Sequence, residues 1–188
     1  MSVLQDHDEL LGRVWLDRYQ ILEFLGRGGM GAVYKARQLQ MDREVALKVI
    51  HRKLSGDARS TQRFEQEART SSRLNHPNSI RVYDYGHSPD GRLFIAMEYL
   101  SGCTLGQLIA NEGPLEPRRV IHIARQILKS LGEAHDLDLV HRDLKPENIF
   151  ITEVFGEHDY VKVLDFGIAK AIGPDSESAD LTQTGFIC

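Results

Sequence analysis

Residues 141–148 read His-Arg-Asp-Leu-Lys-Pro-Glu-Asn, and Asp165-Phe166-Gly167 follows shortly after. This order offers the groups that moving a γ-phosphoryl group demands: an oriented nucleophile, neutralised charge and held phosphates. Asp143 can accept or orient a hydroxyl proton. Asn148, five positions on, can turn back to a metal ion, and Asp165 supplies a hard anionic oxygen of the kind Mg²⁺ prefers. Lys145, two residues past Asp143, faces the same side of an extended loop, where its ammonium can steady phosphoryl charge. Any one of these residues alone reads more simply as a solvated surface charge; the ordered set does not.

The phosphate-holding half lies upstream. Gly26-Arg27-Gly28-Gly29-Met30-Gly31-Ala32-Val33 fits G-x-G-x-x-G-x-V. Without Cβ atoms, glycines let backbone N–H groups approach phosphate oxygens. A dinucleotide-binding turn has similar glycines but needs a helix directly after them. Here Glu44-Val45-Ala46-Leu47-Lys48-Val49-Ile50 follows, an apolar and β-branched run that predicts a strand. The glycines are therefore expected to join two strands of a hairpin. No Gly-Lys-Ser/Thr closes the loop, which excludes a Walker A motif.

Lys48 shares its strand face with Ala46 and Ile50, so its ammonium points to a partly covered space and needs a partner. The helical stretch 61–69 offers Glu67 and Glu65, which lie about 200° apart on a helix. Phe64 and Leu74 place Glu67 nearer the buried stripe, so Glu67 is the expected partner.

With these motifs in order, the chain resembles the eukaryotic-like (Hanks-type) Ser/Thr protein kinase family, its bacterial branch in particular, from about Tyr19 to the last residue. The resemblance implies an α+β, bilobal protein-kinase-like fold: an antiparallel-sheet N-lobe plus one helix, then an incomplete, mostly helical C-lobe. It implies ATP and Mg²⁺, with protein Ser/Thr hydroxyls as acceptors. Gly26, Gly28 and Gly31 would cover the phosphates; Lys48 would hold the α- and β-phosphates and pair with Glu67. Asp143 would be the catalytic base, with Asn148 and Asp165 as metal ligands, and Lys145 is similar to the Ser/Thr-specific form of the loop. Residues 93–100 look like the strand and hinge behind the adenine. Met97 would be the gatekeeper, the Glu98 carbonyl and Leu100 amide would bond the base, and Val33, Ala46 and Phe150 would sandwich it. Each of those three reads equally well as a plain core residue.

Composition agrees with an ordinary soluble domain: 41% hydrophobic and 27% charged. A net charge of −4 gives no sign of nucleic-acid binding. Two cysteines make no disulfide framework, and no apolar run long enough for a membrane span and no signal pattern is visible, which points to the cytoplasm. Organisation follows as an N-terminal arm over 1–18, the kinase N-lobe and hinge over 19–100, and a partial C-lobe over 101–188 ending within the activation segment.

Within that frame, strands are expected from about Tyr19 to Ile50 with a turn near Gln40-Met41-Asp42, and over 80–85 and 93–99. Helices are expected over 60–74, 104–111 and 116–136, the last exposing apolar surface that further chain would cover. Ser101-Gly102 reads as a linker, and the stretch between Ile151 and Val161 as a long polar hairpin turn. His122 and His135 read as surface or capping residues. The resemblance makes Arg142 a candidate to meet a phosphate on the activation segment, with Thr182 and Thr184 the candidate autophosphorylation sites and Ser176 and Ser178 behind them. Two other functions compete: a nucleotide-binding or interaction fragment without transfer activity, and a small-molecule phosphotransferase, which Lys145 and the intact Leu-Lys-Pro-Glu-Asn string oppose.

Overall fold

Between residues 19 and 50 apolar side chains recur at alternate positions, and the chain answers with three long strands. A computed structural model describes residues 10–52 and 58–166. These fall into two units, one holding residues up to 65 with 82–99, the other 66–81 with residues from 100 onward.

The first unit is a six-stranded antiparallel sheet in the order β1-β2-β3-β4-β6-β5. Its strands are β1 (Val14–Trp15), β2 (Tyr19–Gly28), β3 (Gly31–Gln38), β4 (Arg43–Ile50), β5 (Val82–His87) and β6 (Leu93–Glu98). One face is a continuous core of Tyr19, Ala32, Tyr34, Ala36, Val45, Leu47, Val49, Phe94 and Ala96. Burying side chains of this size is what holds the sheet together. Part of the expected N-terminal arm joins this sheet. Val14 and Trp15 pair with Gln20 and Tyr19, and the Trp15 ring sits edge-on against Phe94 at 5.3 Å. Sequence pattern could not show this, because two residues carry no period.

The helix α1 (Ala58–Ser71) carries the chain from the first unit into the second. The second unit contains α2 (Leu105–Glu112), α3 (Pro117–Asp136), a short 3₁₀ turn (Pro146–Asn148) and a three-stranded sheet of β7 (Gly102–Thr104), β8 (Ile149–Val154) and β9 (Glu157–Val163). Thr104 caps α2 reciprocally with Gln107, the capping box. Pro117 opens α3 where its missing N–H costs nothing. Ile123 and Ala134 of α3 pack with Leu108, Ile149, Ile151, Val161, Val163 and Phe166. The opposite side of α3 leaves Val120, Ile121 and Leu128 exposed, as the apolar excess on that helix foretold.

Three expected boundaries move. Gly102 of the expected Ser101-Gly102 linker starts β7, paired with β8. The long polar turn after Ile151 is strand almost throughout. Val154 and Glu157 face each other, and only Phe155 (φ 50) and Gly156 (φ 82) turn, the pair of positive φ angles of a tight hairpin. The strand expected from Ile80 begins at Val82, because residues 79 and 80 bond to Val163. Gly167, the polar run 173–180, Thr182 and Thr184 lie outside the described residues. No helix among the described residues is long and apolar enough to cross a membrane.

Candidate active site

In the first unit, register alone gathers the expected nucleotide-binding residues. Directly opposed residues of antiparallel strands share a face. Gly26 faces Val33, Gly28 faces Gly31, Val33 faces Lys48, and Ala46 faces Met97. Lys48 and Ala46 alternate with the buried Val45, Leu47 and Val49. Gly26, Gly28, Gly31, Val33, Ala46, Lys48 and Met97 therefore occupy the sheet face opposite the aromatic core. The glycine loop is a hairpin, with Gly29-Met30 at its turn. Gly31 has a second reason to be glycine. A Cβ there would lie 2.1 Å from the Val49 carbonyl oxygen, so the approach of β4 also demands it. Glu98 ends β6.

The second unit holds the catalytic-loop residues, on irregular backbone. Asn148 donates from Nδ2 to the Asp143 carbonyl (2.8 Å) and to Asp143 Oδ2 (3.0 Å). Lys145 Nζ meets the same Oδ2 at 2.9 Å. Because both partners of Nδ2 can only accept, the amide orientation is fixed, and Asn148 Oδ1 is the atom left to face a cation. Among the described residues Asp143 Oδ1 takes no hydrogen bond, which leaves a carboxylate oxygen for a substrate hydroxyl.

Asp165 is brought to this cluster by strand pairing. Ile149 opposes Val163, so Asn148, the residue before β8, stands across from the end of β9. Leu164 N–H donates to the Asn148 carbonyl at 2.8 Å. His141, buried, bonds the Leu164 carbonyl through Nε2 (2.8 Å), while its Nδ1 receives the Asp143 N–H at 3.3 Å. Its ring also packs on Phe166 at 4.9 Å, and Ser71 Oγ donates to the Phe166 carbonyl. Arg142 (φ 62) and Asp165 (φ 56) both hold left-handed backbone, a conformation that non-glycine residues keep only where the surroundings enforce it.

Glu67 is the more buried of the two glutamates on α1, its side chain 21% exposed against 47% for Glu65. Its carboxylate forms an ion pair with Arg142 at 3.3 Å, whereas Glu65 lies 3.9 Å from His87. Phe150 sits half-buried in β8, opposite Thr104 and Lys162. Leu100 is half-buried where the chain re-enters the second unit. Among the described residues no cluster of three or more His, Cys, Asp or Glu side chains could cage a metal. The donors on hand, one amide oxygen and one carboxylate, suit Mg²⁺, which keeps water and phosphate oxygens in its shell.

The comparison that decides the family is direct: residues 19–186 match the protein kinase domain. The chain belongs to the protein kinase family. Among its relatives, the Serine/threonine-protein kinase pkn3 of Myxococcus xanthus is 48% identical over 97% of this chain. PrkC of Bacillus subtilis is 40% identical over 95%. This kinase chain spans 34% of the first and 26% of the second. The crystal structure of the Mycobacterium tuberculosis PknI kinase domain superposes with a TM-score of 0.75 at 32% identity, covering 84% of this chain and 62% of that one. The expected fold is thus shown: a partial bilobal kinase fold with an antiparallel-sheet lobe and few helices.

Two residues that matter to this kinase arrangement escaped the reading of the sequence. His141 lay inside the motif without a role, and Asn78 lay in a loop. The His141 partner Leu164 is 23 residues away, so only the strand pairing reveals the bond.

Proposed function

We propose that this chain is the catalytic part of a Ser/Thr protein kinase that moves the γ-phosphoryl group of ATP to Ser/Thr hydroxyls of proteins. The single observation that carries the reading is the Asp143 carboxylate held on one oxygen by Lys145 and Asn148, with the stem of Asp165 bonded alongside. Asp143 orients the acceptor hydroxyl and takes its proton. The hydroxyl oxygen bonds to the γ-phosphorus as the bond to the β–γ bridging oxygen breaks, and ADP leaves. Lys145 steadies the charge on the moving group. Asn148 and Asp165 would hold Mg²⁺, which neutralises phosphate charge when bound.

Gly26, Gly28 and Gly31 cover the phosphates, and Lys48 holds the α- and β-phosphates with Glu67 as its carboxylate partner. Val33, Ala46 and Phe150 flank the adenine, with Met97 behind it and the Glu98 carbonyl and Leu100 amide at its edge. Autophosphorylation at Thr182 or Thr184 and a cytoplasmic setting belong to the same reading, as does the absence of a nucleic-acid partner.

The test is transfer of labelled γ-phosphate from ATP and Mg²⁺ to a generic basic protein by the full-length protein. Asp143→Asn should lower turnover by about 10²–10⁴-fold, the scale for losing a positioned base, while leaving the melting temperature nearly unchanged. Near-normal turnover in that variant would reject the base assignment, and no transfer by the unaltered protein would reject the function.

A further inference from the structure

Gln126 stands mid-way along α3, and every hydrogen-bonding position of its amide is used. Oε1 accepts from Asn78 Nδ2 (3.0 Å) and from the Val161 N–H (3.0 Å). Nε2 donates to the Asp159 carbonyl (2.8 Å) and lies 2.9 Å from His122 Nε2. Val161 N–H can only donate and the Asp159 carbonyl can only accept, so the amide has one possible orientation. Asn78, itself buried, completes the grip: its Nδ2 also donates to the Val161 carbonyl (2.8 Å), and its own carbonyl accepts the Val163 N–H (2.7 Å).

These bonds fall where β9 is least regular. The β8–β9 ladder shifts register between Thr152 and Val154, and Asp159 takes a left-handed φ of 55. Arg119, also on α3, holds the Asp159 carboxylate with two parallel bonds of 2.7 Å. A strand advances about 3.3 Å per residue, and a one-residue slip turns every side chain to the other face. A slip at Asp159 would carry Asp165 off its place beside Asn148.

We propose that Gln126 is a positioning residue: it locks the register of β9 through Asp159, Val161 and Asn78, and so sets the place of Asp165 as a Mg²⁺ ligand. The metal role of Asp165 rests on the function proposed above; the lock does not. Groups bonded directly to a ligand typically change metal affinity by about 10–100-fold when removed; Gln126 acts through Asp159 and Val161, which places its effect at the lower end of that range.

The experiment compares the full-length protein with Gln126→Leu and Gln126→Glu. Gln126→Leu should raise the free Mg²⁺ needed for half-maximal transfer by about tenfold and should speed amide exchange at Val161, Val163 and Leu164. Gln126→Glu keeps an oxygen for Asn78 and Val161 but sets an acceptor against the Asp159 carbonyl, so it should shift both readouts in the same direction; it also decides the matter if Gln126→Leu does not fold. A folded variant with lowered melting temperature but unchanged Mg²⁺ requirement overturns the positioning role. Unchanged exchange at those three amides overturns the lock. Absence of transfer by the unaltered protein counts against the kinase reading alone, because exchange is measured without turnover.

Discussion

The two units hold their candidate functional residues by different means. In the first, Val33, Ala46, Lys48 and Met97 share a sheet face because strand register puts them there, backed by a core of Tyr34, Leu47 and Phe94. Strand register fixes the face of each. In the second, Asp143, Asn148 and Asp165 stand on turns and left-handed backbone, aimed by His141, Lys145 and the ends of β8 and β9. The candidate residues of the first unit should therefore be disturbed chiefly through its core, while those of the second should be disturbed one hydrogen bond at a time.

The strongest way to break this contrast is to damage the core of the sheet. Leu47 is fully buried, and Leu47→Ala should cost about 2–5 kcal/mol of stability, read by urea denaturation. Per folded molecule, transfer activity and Mg²⁺ requirement should stay near normal. A selective change in either at a temperature where the variant is folded would erase the distinction.

A smaller effect is expected from His141→Leu, which preserves bulk against Phe166 but leaves the Leu164 carbonyl without its imidazole donor. The cost should be about 1–3 kcal/mol, and here turnover per folded molecule should fall together with stability. Loss of stability with intact turnover would show that the ring merely fills space.

The smallest effect concerns Asp159. The hydrogen bonds from Arg119 hold its carboxyl below the ordinary value of 3.8, outweighing the partial burial that opposes them. A lowered folded-state pKa means the carboxylate contributes stability at neutral pH, and that this contribution disappears as pH falls below the ordinary aspartate range. In Asp159→Asn that acid-side loss should be missing, and at pH 7 the variant should be less stable by about 0.5–1 kcal/mol, since the pair is partly exposed. Identical acid unfolding curves for the two proteins would remove the Arg119–Asp159 pair from the lock on β9.

Much of this was legible in the sequence because the signals were local. Alternation over 43–50 gave β4 and the face of Lys48, and the eight-residue motif gave Asp143, Lys145 and Asn148. The position of Glu67 nearer the buried stripe also followed from Phe64. What stayed hidden depends on partners distant in the chain. Gln126 looks like any polar position on an amphipathic helix until Asn78, 48 residues earlier, and Val161, 35 residues later, are folded against it. The pairing of Trp15 was invisible for a related reason: a two-residue strand has no period, and only the ring against Phe94 explains it. The turn at Phe155-Gly156 was overestimated because Glu153, Glu157, His158 and Asp159 read as loop chemistry, although strands with solvent on one side accept such residues.

The imidazole of His141 works as a gauge block. One edge donates from Nε2 to the Leu164 carbonyl, and the other, at Nδ1, shares the Asp143 N–H with the carbonyl of His141 itself, so one flat ring ties together the backbones that bear both aspartates. Among the twenty side chains only a neutral histidine gives on one edge and takes on the other across so stiff a body. A longer amide or an apolar ring at this place would loosen that tie.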